Sequence, residues 1–193
     1  MTTGGQSGSL FGAGDTALGY LYQIRLALLA SLRRLARGQI FCLYLETLDD
    51  VTFDPSGSPL ELFQLKHHIR STANLTDASP DIWKTLRVWI TGRSDGTIPR
   101  DARLCLVTTS PVTDGAIAAK LGLKDRDEAG AIRALSDVAS TSSNADNTVA
   151  YGLFLGLSAT DKLDLVSSIT IAPKADNISE IEQGLSEYAR TAV

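Results

Sequence analysis

The stretch LYLETLDDVTFDPSGSPLELFQLKHH, residues 43–68, decides how this chain is read. It sets three acids, Glu46, Asp49 and Asp50, in or beside one apolar run, turns, and places Gln-Leu-Lys in the next run. Residues 43–53 and 60–68 both alternate well enough to be strands. The intervening DPSGSP has the prolines, glycine and serines of a turn, so the pair reads as a β-hairpin. Strand side chains alternate between faces. Gln64 and Lys66 therefore project to one side, and Phe63 and Leu65 to the other. On the first strand Tyr44, Glu46, Leu48 and Asp50 share a face unless a bend intervenes. One face can thus hold Glu46, Asp50, Gln64 and Lys66, with Leu43, Leu45, Phe63 and Leu65 behind them in the core. Charged groups on so apolar a hairpin are costly to bury unless they pair or bind a metal.

Working outward, Asp15 is placed to cap a helix over residues 16–37 that Gly38 ends. Its stripe of Leu21, Ile24, Leu28, Leu32 and Leu35 carries Gln23 alongside. After the hairpin, Ser79 caps a helix whose first turn holds Pro80. Residues 103–110 form a short strand, and residues 114–121 and 125–138 look helical. Residues 140–147 read as a polar loop, followed by helices over 148–157 and from Ser158 to Ser167. A late strand, SITIAP, precedes an amphipathic closing helix over residues 178–190. This order predicts an α/β fold, a mixed β-sheet flanked by α-helices.

The 193 residues, 44% of them hydrophobic, suit one globular domain with a real core. A net charge of −4 excludes a generally basic nucleic-acid coat, so any polyanion contact must be local. Cys42 and Cys105 sit in apolar runs and read as core residues, and two histidines with two cysteines make no zinc spacing. Residues 1–14 are uncharged and rich in Gly, Ser and Thr, a flexible segment with no secretion-signal pattern, and residues 15–193 read as the domain. No run reaches membrane-spanning length, and the expected setting is the cytoplasm.

Hydrolysing a phosphodiester requires a metal to polarise the phosphate and activate water, with a positive group balancing the developing charge. Carboxylate oxygens are the hard ligands that Mg²⁺ prefers. An acid on one strand and Gln-x-Lys on its neighbour would bring ligands and an ammonium around one point. Asp50 followed by Gln64-Leu65-Lys66 resembles the PD-(D/E)xK nuclease superfamily, in the variant with Gln at the second acidic position. GYLYQIRLALLASL, LETLDDVTF, ELFQLKHH, DIWKTLRVW and LCLVTTS, in that order, are similar to one branch of it. That branch is the N-terminal nuclease domain of bacterial anti-phage effector endonucleases, fused to SAVED cyclic-oligonucleotide sensors or to STAND-type NTPases.

The resemblance implies a restriction-endonuclease-like fold and Mg²⁺- or Mn²⁺-dependent cleavage of double-stranded DNA in phage defence. It also implies a longer polypeptide carrying a sensor or NTPase domain, and a homo-oligomer when active. Position by position, it makes Asp50 the principal metal ligand, Gln64 the residue at the second acidic position and Lys66 the catalytic lysine. Glu46 would complete the metal shell, which a neutral Gln64 makes more necessary, and Gln23 and Asp49 would support the site. His67, His68, Arg33 and Arg34 are candidates for DNA contact. Each has a plainer alternative. Glu46 and Asp49 would be solvated, Lys66 a surface cation paired with Asp50, Gln23 a buried amide satisfied by backbone, the histidines loop residues and the arginines a solvated helix end. Trp83 and Trp89 read as core and partner-facing aromatics. Ile178, Ile181, Leu185 and Tyr188 of the closing helix are a candidate contact surface, with packing on their own sheet the plainer use. A non-catalytic module of the same fold and an RNA nuclease remain as alternatives.

Overall fold

The computed structural model describes residues 10–67 and 74–191. The first helix, α1 (Leu10–Leu35), leads into three short strands, β1 (Phe41–Leu45), β2 (Val51–Pro55) and β3 (Glu61–Lys66). Helix α2 (Pro80–Asp95) crosses to β4 (Arg103–Thr108). Helices α3 (Ile117–Lys120), α4 (Glu128–Thr141), α5 (Thr148–Leu155) and α6 (Ala159–Ser168) follow. Strand β5 (Ile169–Ala172) and helix α7 (Ile178–Thr191) complete the described chain. The five strands form one sheet in the order β1-β2-β3-β4-β5. β1, β2 and β3 pair antiparallel, whereas β4 and β5 run parallel to β3. The chain is therefore α/β, a mixed sheet between helices.

Period-two alternation splits the core into two layers. Leu62, Leu104, Leu106, Ile169 and Ile171 point toward α2 and α4–α6, where they meet the fully buried Trp83, Trp89, Leu135 and Phe154. Val51, Phe53, Leu65 and Val107 point the other way, against Tyr22, Ala27 and Leu29 of α1 and Ile181 of α7. Ile178 and Leu185 join this second layer, and the Tyr188 hydroxyl donates to Leu32 O at 3.2 Å. The four apolar residues of the closing helix thus serve their own domain. Both tryptophans are buried, so neither faces a partner.

Helix α2 has local reasons to start and stop where it does. Ser79 Oγ accepts from Asp81 N at 3.3 Å, Pro80 occupies the first turn, and Gly96 closes the end at φ 81°. Other boundaries differ from the sequence expectation. Residues 10–14, expected in a loose leader, begin α1, so Asp15 lies inside the helix and not at its N-terminus; Leu and Ala are good helix formers. Residues 1–9 fall outside the described chain. Helix α3 is shorter than expected because Gly115 turns left-handed, φ 79°, just before it.

The largest correction concerns residues 43–53, read as one strand. Glu46 takes φ 52°, its N–H donates to Asp50 O at 3.1 Å, and residues 46–50 turn the chain back on itself. β1 is thereby the edge strand of a three-stranded meander, with Leu45 opposite Val51. Phe41 and Leu45 pack against the α1 layer, and the three residues between them are exposed. Leu43 and Cys42 are exposed, where both were expected inside, and Cys105 is half-buried on β4.

Candidate active site

The turn at 46–50 and strand β3 build the site. Val51 pairs with Phe63, which sets Asp50 opposite Gln64 on the face that looks toward α2. Asp50 Oδ2 accepts from Gln64 Nε2 at 2.5 Å and from Leu65 N at 2.7 Å. The second contact anchors the carboxylate to the backbone of β3, so the site moves with the sheet. Among the described residues nothing donates to Asp50 Oδ1, and Gln64 Oε1 is likewise unused. These are two hard oxygens on neighbouring strands.

Lys66 stands two residues beyond Gln64, on the same face, at the C-terminal end of β3. It is half-buried and makes no ion pair with any described residue, which disposes of a salt bridge to Asp50 as its use. Its charge is felt by Asp49, whose acidity it favours. On its other side Lys66 lines a pocket of about 190 Å³ with Gly19, Tyr22, Gln23, Leu65 and His67. Gln23 on α1 therefore reaches the same space as Lys66, as the supporting role requires. His67 stacks on Tyr22, with ring centroids 4.3 Å apart at 20°. The Tyr22 hydroxyl donates to Asp176 O at 3.0 Å, and burial beside Asp176 and Glu180 pushes its pKa up to about 12. Hence Tyr22 is a neutral buttress for His67.

Asp49 is not the solvated residue it resembles in the sequence. Only 8% exposed, it accepts from Trp89 Nε1 through Oδ2 at 2.7 Å and from Asp50 N through Oδ1 at 3.1 Å. Burial pushes its pKa up to about 6 against the opposing pull of these hydrogen bonds. With both oxygens engaged, Asp49 positions Asp50 and clamps the turn onto α2. It is poorly placed to be a metal ligand itself. Trp89 lies 40 positions away in sequence, and its apolar neighbours mark it only as core.

The remaining candidates divide. Glu46 sits across the turn from Asp50 through the backbone, but its side chain is exposed and bonds to no other described residue. The left-handed turn takes it out of the strand alternation that placed it beside Lys66. Arg34 is committed elsewhere: its guanidinium pairs with Glu61 at 2.5 Å and lies 4.1 Å over the Phe53 ring. That removes it from the DNA candidates. Arg33 is exposed on α1, and His68 lies outside the described residues.

The donor set fits a hard divalent cation. Asp50 Oδ1 and Gln64 Oε1 would hold it, with water completing the shell, since Mg²⁺ keeps several waters and needs only one or two carboxylates. Among the described residues no group of three or more His, Cys, Asp or Glu converges, so a protein-only cage is not the design. No family model matches the chain, and no curated protein is similar enough to it to count as a relative. No described helix is long and apolar enough to cross a membrane.

Proposed function

We propose that this chain is a metal-dependent endonuclease domain that cuts double-stranded DNA, the effector part of an anti-phage defence protein. The observation that carries the reading is the meeting of Asp50, Gln64 and Lys66, the last without an ion pair among the described residues, on one face of β2 and β3. The helix–three-strand–helix–strand order around them agrees with the resemblance drawn from the sequence motifs. A Mg²⁺ or Mn²⁺ ion, when bound, would supply Lewis-acid polarisation of the scissile phosphate and a more acidic water. Asp50 and Gln64 would hold its position, and the bond from Leu65 N fixes the Asp50 carboxylate on the backbone of β3. The Lys66 ammonium, with no carboxylate partner among the described residues, stabilises charge that develops on the phosphate oxygens. Asp49 and Trp89 fix the turn from which Asp50 projects. Gln23, facing the Lys66 pocket, orients solvent or the phosphate there.

A duplex nuclease left active would cut its own chromosome. The reading therefore includes control by a sensor or NTPase domain in the longer protein, which gathers several copies so that two sites meet two strands. The test offers the full-length, activated protein duplex DNA, single-stranded DNA and RNA with Mg²⁺ or with EDTA. Mg²⁺-dependent scission of duplex DNA is expected. Cutting that persists in excess chelator, or that falls on RNA alone, overturns the proposal.

A further inference from the structure

A groove of about 330 Å³ runs along the outer side of α2, beside the turn that carries Asp49 and Asp50. Leu48, from the middle of that turn, forms one wall, and Val88 and Ile98 add apolar surface. Two charged residues line it, Arg87 and Asp95. Asp95 is exposed, but its Oδ1 already accepts from Thr97 N at 3.0 Å and Thr97 Oγ1 at 2.7 Å, which lowers its pKa. Arg87 is exposed and makes no ion pair or hydrogen bond with a described residue. Lys84, one helical turn earlier, is exposed and equally uncommitted. Other arginines nearby are already occupied. Arg93 donates to Arg100 O and Ser168 Oγ, and Arg100 pairs with Asp161.

We propose that this groove seats the sugar–phosphate backbone of the nucleic acid, with Arg87 and Lys84 contacting its phosphates. This rests on the nuclease reading and extends it by naming the surface that holds the substrate. The chemistry fits on both counts: an apolar floor suits the sugar face, and a guanidinium that donates to no described residue suits a phosphate. Geometry connects the groove to the cut. Helix α2 presents Arg87 outward and, two residues on, Trp89 inward to Asp49, so the element that would grip the backbone also fixes the turn bearing Asp50. A strand lying in the groove therefore has a rigid relation to the metal ligand. The chain's acidic balance makes such contacts local, as a net charge of −4 requires.

The test measures duplex binding by the full-length protein over a range of salt, with Ca²⁺ replacing Mg²⁺. The variants are Arg87→Gln, Lys84→Gln and, as a control for net charge, Arg133→Gln on the exposed side of α4. Each groove variant should weaken binding roughly tenfold at low salt, with equal effect on unrelated sequences. Each should reduce the slope of log K against log salt by about 1. Arg133→Gln should change neither. An Arg87→Gln protein with wild-type affinity and slope overturns the groove, as does a control that loses as much. Either result leaves the nuclease reading standing if the wild type still cuts duplex DNA. A wild type that neither binds nor cuts duplex DNA refutes both.

Discussion

Replacing Trp89 with Phe isolates the bond that holds the catalytic turn. Asp49 has a folded pKa near 6 against an ordinary 3.8. The native state thus binds the proton more tightly than the unfolded chain. Stability is full below the unfolded pKa and falls as pH rises through that window to the folded value. The shift of about two units corresponds to roughly 3 kcal/mol once Asp49 is fully ionised. The indole N–H, 2.7 Å from Oδ2, holds that figure down, because it favours the carboxylate over the acid. A bond to a buried charged group contributes about 1.5–3 kcal/mol, and one to a neutral group about half as much. Trp89→Phe should therefore raise the Asp49 pKa above 6 and cost about 1–1.5 kcal/mol more at about pH 7.5 than at about pH 4.5. The loss of packing is common to both conditions and cancels. Urea unfolding of metal-free protein, followed by far-ultraviolet circular dichroism, reads the difference. A destabilisation equal at both pH values would refute the coupling of Trp89 to Asp49.

The other expectations test neighbouring parts of the account. Gln64→Glu puts a second carboxylate against Asp50, so the metal-free protein should lose about 1–3 kcal/mol at neutral pH. Mg²⁺ should restore that loss and bind more tightly than to the wild type; a variant indifferent to Mg²⁺ counts against the ligand pair. Arg34→Ala, which removes the Glu61 pair and the Phe53 contact, should cost about 1–2 kcal/mol in urea unfolding, while Arg33→Ala should stay within about 0.5. Equal effects would show that Arg34 is not structural. Exposed Cys42 should react first with iodoacetamide, because burial pushes the Cys105 thiol up to about 12. Peptide mapping that finds Cys105 labelled first would contradict its placement.

What could be read from the sequence follows from the range of each interaction. Period-two alternation put Gln64 and Lys66 on one face and Leu65 on the other, and the sheet keeps that arrangement. Asp50 was legible because the DPSGSP turn fixes the register that sets it opposite Gln64. Alternation fails wherever backbone leaves the extended region, and Glu46 does so at φ 52°. No local pattern announces a left-handed glutamate, so β1 and β2 merged into one expected strand. Asp49 was offered as a supporting residue, but the partner that engages it could not be read. Its environment is made by Trp89, which helical periodicity marks as core without saying that its N–H needs an acceptor there. Arg34 was offered to DNA because a charge run at a helix end looks solvated; Glu61 and Phe53, which occupy it, come from other strands.

The central claim is tested most directly by cleavage of supercoiled and linear duplex DNA with the full-length activated protein, wild type against Lys66→Ala, in Mg²⁺. Lys66 carries no ion pair with a described residue that its removal would break, so the variant should fold and bind Mg²⁺ as the wild type does. Its cleavage rate should fall at least about 10²-fold, the scale set by losing one group that stabilises transition-state charge. A folded Lys66→Ala protein that cuts duplex DNA at the wild-type rate would contradict the account.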